Sequence, residues 1–165
     1  MRFEPGDLTR PLPETGFDAI VALECLSEIP EDREALRMMS TAVAPGGLLL
    51  VQVPERNWKP VLRGSAPTWR EQVRQGYTAE EIAGAVRQTG LEPVSVLPTY
   101  RAVAALAQEV RDRIKDSSVW VRALAFPLLA AAVRLERWGI TGGRANAILV
   151  VARRPGAAEG GPQPA

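Results

Sequence analysis

The sequence predicts an α/β fold, on three observations. Short apolar runs recur along the chain, segments of helical period separate them, and turn residues punctuate the joins. Strands are predicted near residues 18–23, 47–53, 91–97 and 146–152, in one sheet.

The run DAIVAL at residues 18–23 lacks polar alternation, the pattern of a strand buried on both faces. Pro30, Glu31 and Asp32 open a helix, because proline is tolerated in a first turn and carboxylates suit the positive end of the helix dipole. Ala35, Leu36, Met39, Ala42 and Val43 share one face of that helix. Pro45-Gly46-Gly47 is the expected helix stop, and Leu48 to Val53 the next strand. Strand, helix, strand is half of an open α/β sheet, in which ligands sit outside the carboxyl ends of the strands. Those ends are Leu23-Glu24-Cys25 and Gln52-Val53-Pro54.

Residues 55–75 read as a loop marked by Asn57, Pro60, Gly64 and Pro67, with Trp58 and Trp69 inside it. The two indoles either line a pocket or anchor an irregular segment by burial. Thr78 caps the next helix and Glu81 completes a capping box. Ile82, Ala83 and Val86 form its buried face, and Gly90 stops it. Two helices follow, roughly over 99–115 and 117–138. They are expected to form a hairpin over the strand ends, with Phe126 and Leu128 buried. The apolar stretch ALAFPLLAAAV within them is too short to cross a bilayer, which needs about 20 residues. Its flanking Trp and Arg residues also suit in-plane membrane contact, the other reading of this segment. The domain is expected to span 1–154, with 99–138 as a helical insertion. Residues 155–165, rich in Gly, Pro and Ala, are expected to be a disordered tail.

Composition narrows the chemistry. The net charge of +1 favours neither nucleic acid nor an acidic partner. The absence of histidine excludes His-based triads and His metal ligation, and no metal site is expected. Cys25 is the only cysteine, so no intramolecular disulfide can form. Lys59 and Lys115 are the only lysines, which with abundant Ala, Gly and Pro suggests a GC-rich, bacterial genome. No signal-peptide pattern opens the sequence, which makes the cytoplasm the expected compartment.

FDAIVALECLSEIPE followed by APGGLLLVQVP resembles the middle of a class I S-adenosylmethionine-dependent methyltransferase of the type 11 kind. In that family an FD-x-I strand leads to an L-x-H-I loop, a helix, a K-P-G-G turn and a strand. Glu28 stands here for the usual His, and Ala44 for the usual Lys. GYTAEEIAGAVRQTGLEPVSV is similar to the family's late helix and sixth strand. The resemblance implies a partial Rossmann-like sheet, from the family's third strand through its seventh, with a helical insertion before the last strand. It implies S-adenosylmethionine as cofactor and a small-molecule or lipid-like methyl acceptor. Cofactor-binding residues would be Asp7, Leu8, Leu23 and Glu24, with Asp7 on the adenine amino group. Substrate-binding residues would be Trp58, Trp69 and Tyr77, although Tyr77 also suits a staple beside the helix cap. No residue is nominated as a catalytic base, since methyl transfer from a sulfonium can be driven largely by positioning.

The family's glycine-rich turn has no counterpart, because no G-x-G occurs in the sequence. The acidic residue that holds the ribose is also missing, a pattern that fits a truncated domain. The strand at 18–23 would then be an apolar sheet edge, open to pairing with residues 2–8 or with another polypeptide. The chain by itself is expected not to bind S-adenosylmethionine measurably. A non-catalytic remnant that binds a protein through this edge, and a peripheral membrane protein, are the alternative readings.

Overall fold

The structure, a computed structural model, describes residues 3–60, 62, 73–99, 102–136 and 145–156. Strand β1 (Phe17–Leu23) leads through a 3-10 turn (Leu26–Glu28) into helix α1 (Asp32–Ala42) and strand β2 (Val43–Pro54). Then come α2 (Ala79–Gln88), β3 (Glu92–Thr99), α3 (Ala102–Ile114), α4 (Val119–Glu136) and β4 (Ala147–Arg153). The sheet runs β1-β2-β4-β3. β1 is parallel to β2, while β4 is antiparallel to both β2 and β3. The mixed α/β architecture and every strand expected from the apolar runs are present.

The join between α1 and β2 departs from expectation. α1 ends at Ala42 and β2 starts at Val43, so Pro45-Gly46-Gly47 lies inside the strand's first stretch. Phe17 pairs with Val43, and the register then jumps to Ala19 beside Leu48. A side chain at Gly47 would place its Cβ 3.0 Å from the Asp18 carbonyl oxygen. Glycine therefore lets β1 approach the irregular stretch.

One hydrophobic cluster joins the sheet to two helices. Leu36 and Met39 of α1 and Ile82 and Val86 of α2 pack with Leu49, Val51, Val53 and Val150. These alternate positions of β2 and β4 point to one face of the sheet, so α1 and α2 cover the same side. Each such side chain contributes about 1.5–3 kcal/mol when fully buried.

The other face is left open by both helices. Val21 and Leu23 of β1 are 59% and 57% exposed, and Leu48, Leu50, Leu149 and Val151 are half-buried. β1 was expected to be buried on both faces, and it is not. Right-handed crossovers return both helices to the same side. Among the described residues no strand pairs with the outer edge of β1; residues 3–16 run without strand structure.

α3 and α4 form the expected hairpin before the last strand. α3 meets the body of the fold, where Ala105 is buried against Trp58 and the Glu109 carboxylate accepts the Leu62 N–H at 2.9 Å. α4 packs chiefly on α3. Phe126 and Leu128, expected to be buried, are 51% and 68% exposed, because α3 rather than α4 carries the contact with the fold. Trp120, Leu124 and Leu128, spaced at i, i+4 and i+8, form an exposed apolar stripe. Among the described residues no helix is long and apolar enough to cross a membrane.

Candidate cofactor and acceptor site

The carboxyl ends of β1 and β2 form a ledge. Glu24, directly after β1, has φ +57°, the left-handed region that a non-glycine residue enters at a cost of about 1–2 kcal/mol. Two bonds to the end of β2 hold it there. Its N–H donates to the Gln52 carbonyl at 3.0 Å, and its carboxylate accepts the Gln52 amide N–H at 2.8 Å. Its neighbours thus over-determine the strained conformation. Leu23 beside it faces solvent. The adjoining Cys25 thiol is pushed up by burial and further by the carboxylates of Glu24 and Glu28, so it stays protonated and is a poor nucleophile.

Asp7 lies in a turn of its own. Its carboxylate accepts the Thr9 N–H at 2.9 Å and the Thr9 hydroxyl at 2.7 Å, and it pairs with Arg10 at 3.4 Å. These bonds hold its pKa below the ordinary carboxylate value, those from Thr9 most strongly. Leu8 follows in the same turn. The Asp7 side chain bonds within this turn, to Thr9 and Arg10.

A buried polar cluster ties the approach to α2 onto the start of α1. Asp32 Oδ2 accepts the Tyr77 hydroxyl at 2.7 Å and Arg74 Nη1 at 2.8 Å. The Arg74 guanidinium also sits 4.3 Å from the centre of the Tyr77 ring. Tyr77 is 1% exposed, so its hydroxyl faces Asp32 rather than an open pocket. Its main chain brackets the end of β2, donating to the Pro54 carbonyl at 2.9 Å and accepting from Arg56 at 3.0 Å. In the sequence Asp32 reads only as a helix-opening carboxylate, and Arg74 as one basic residue of a loop. Neither residue carried a periodic signal that could have joined them.

A cavity of about 310 Å³ opens beside this bracket, at the carboxyl ends of β2 and β3. Trp58, Val96, Pro98 and Ile148 supply apolar walls, and Glu55 and Asn57 a polar one. Trp58 is buried and lines this cavity. Trp69 lies outside the described residues. Among the described residues no cluster of His, Cys, Asp and Glu could hold a metal ion.

The open α/β sheet, its parallel β1–β2 unit, its antiparallel last strand and a site at the strand ends define a class I S-adenosylmethionine-dependent methyltransferase-like fold. A family model described as a methyltransferase domain matches residues 3–96, and the chain belongs to that family. The family's cofactor is S-adenosylmethionine.

Solved structures agree on the fold. The cyclase SpnF is 23% identical, with a TM-score of 0.57 over 94% of this chain and 57% of its own. Phosphoethanolamine N-methyltransferase 2 of Haemonchus contortus, bound to S-adenosyl-L-methionine, is 18% identical, with a TM-score of 0.57 over 90% of this chain and 36% of its own. An O-methyltransferase from a trans-AT PKS multienzyme of Brevibacillus brevis, bound to S-adenosyl-L-homocysteine, is 17% identical, with a TM-score of 0.53 over 91% of this chain and 48% of its own. The chain thus spans between about a third and three fifths of the length of these relatives. No curated protein matches it by sequence.

Proposed function

We propose that the chain carries the acceptor side of an S-adenosylmethionine-dependent methyltransferase acting on a small apolar molecule. The observation that carries this reading is the cavity at the strand ends, walled by Trp58, Val96, Pro98 and Ile148. Apolar walls with a few polar groups are the usual make-up of a small-molecule site. In this reading Leu23 and Glu24 form one wall of the cofactor site, and Asp7 and Leu8 approach the adenine. Trp58 orients the acceptor, with Trp69 contributing from the same loop. Tyr77 acts from behind, by holding the end of β2 in place. When bound, the cofactor supplies an electrophilic methyl group. The chain's own part is to orient the acceptor and exclude water, which supplies most of what an in-line displacement needs.

The 165 residues contain no G-x-G turn, so they hold the cofactor weakly by themselves. Losing the contacts to its methionyl and ribose portions costs several kcal/mol, and each 1.4 kcal/mol is about tenfold in affinity. Calorimetry with S-adenosylhomocysteine should show a dissociation constant weaker than roughly 100 µM. Tighter binding would show that these residues suffice, and Asp7→Ala should then weaken it. Methyl transfer itself is read by counting labelled methyl groups moved from millimolar donor to a panel of small apolar acceptors. Transfer that survives Trp58→Ala undiminished would sink the acceptor reading.

A second reading rests on the open sheet face. Val21 and Leu23 are exposed beside the edge of β1 that no described strand pairs, which suits a protein-interaction module.

A further inference from the structure

The cavity beside Trp58 is walled unevenly, and the unevenness selects a ligand. Its polar wall presents hydrogen-bond acceptors. Glu55 Oε1 accepts the Asn57 backbone N–H at 3.2 Å and its amide N–H at 3.4 Å, so Asn57 spends donors on orienting the carboxylate. No described cation pairs with Glu55. Arg56, next in sequence, is engaged by Glu81 at 2.7 Å and by the Gly76 carbonyl at 3.3 Å.

The cavity also holds the Trp58 side chain, and aromatic rings attract cations over their faces.

We propose that this cavity binds a small primary amine with an apolar body, its ammonium on Glu55 and its body against Trp58, Val96 and Ile148. On the acceptor reading above, on which only this last step rests, that amine is the methyl acceptor. Glu55 contributes charge selection. An anionic ligand of the same shape meets the Glu55 carboxylate, and a neutral one gains only the apolar walls.

The test needs no cofactor. The full chain is titrated calorimetrically at pH 7 with 2-phenylethylamine, 2-phenylethanol and phenylacetate. The amine should bind at least about tenfold more tightly than the other two. Glu55→Gln should abolish that preference while leaving 2-phenylethanol within about twofold. Ile148→Trp, which fills the cavity, should remove binding of all three, with circular dichroism confirming that both variants fold. Equal binding of amine and acid, an unchanged amine affinity in Glu55→Gln, or no binding of any probe at 10 mM (roughly 2.7 kcal/mol at this limit) would overturn the proposal. Methyl transfer to other small acceptors but not to a bound amine refutes the amine's role as acceptor alone. Methyl transfer to acceptors indifferent to Glu55→Gln refutes the Glu55 proposal alone.

Discussion

Tyr77 donates its hydroxyl proton to Asp32 Oδ2 at 2.7 Å, and the same oxygen takes Arg74 Nη1 at 2.8 Å. One buried carboxylate thereby joins the first turn of α1 to the segment that brackets the end of β2. Through its main chain Tyr77 also bonds Pro54 and Arg56, on either side of the cavity-lining Glu55.

Removing the phenol hydroxyl tests the junction's worth. Tyr77→Phe should cost about 1.5–3 kcal/mol, the range for a hydrogen bond to a charged group. Asp32→Ala should cost more, about 3–5 kcal/mol, because it strands both Arg74 and Tyr77. Urea unfolding of both variants measures the difference. Equal, near-zero effects would mean that the cluster is dispensable.

Alkaline pH should destabilise the fold through the same hydroxyl. Burial, and next the bond to Asp32, push the Tyr77 phenol well above its ordinary value. In the unfolded chain it ionises near about 10. A group that holds its proton more tightly when folded favours the fold fully below the unfolded pKa. That contribution is lost as pH rises past about 10. Melting temperatures between pH 8 and 11 should fall more steeply in the parent than in Tyr77→Phe, with the pH range chosen around that value.

Three glycines should answer differently to alanine. Gly76 has φ +73°, and a Cβ there would lie 2.8 Å from the Pro54 carbonyl oxygen. Gly76→Ala should cost at least about 1–2 kcal/mol. Gly47→Ala should also destabilise, since its Cβ would press on the Asp18 carbonyl oxygen. Gly84 lies inside α2 with open space around it, so Gly84→Ala should stabilise by about 0.5–1 kcal/mol. Chemical denaturation of the three variants, side by side, checks the order.

The exposed apolar surfaces should govern association rather than stability. Trp120 is 84% and Val21 59% exposed. Trp120→Glu and Val21→Lys should each change unfolding free energy by less than about 0.5 kcal/mol. Sedimentation at rising concentration should show the parent self-associating more than either variant. If both variants match the parent, neither surface is an interaction site.

Much of the fold is legible in local pattern. The apolar runs placed β1 to β4 because a buried strand requires side chains without charge on the covered face, whichever elements cover it. Thr78 and Glu81 marked the start of α2 because a capping box is closed within one helical turn, and both of its bonds are present. Where local pattern failed, burial was decided by partners. The run around Val21 has the composition of a fully covered strand, yet coverage depends on which side α1 and α2 return to. Phe126 and Leu128 look like core residues, yet α3 takes the place beside Trp58.

The sequence alone determined the α/β class, the strand–helix–strand unit and its family, and the lack of histidine and disulfide chemistry. Each of these rests on residue type, spacing or local capping, which act over a few neighbours in the chain. Tertiary structure decided that Asp32, Arg74 and Tyr77 form one cluster, across |i−j| of 42 and 45. It decided that Glu24 is held in a left-handed conformation by Gln52, and that Glu55 shares a cavity with Trp58 and Ile148. Such juxtapositions arise from strand order and crossover hand, and no periodicity along the chain records them.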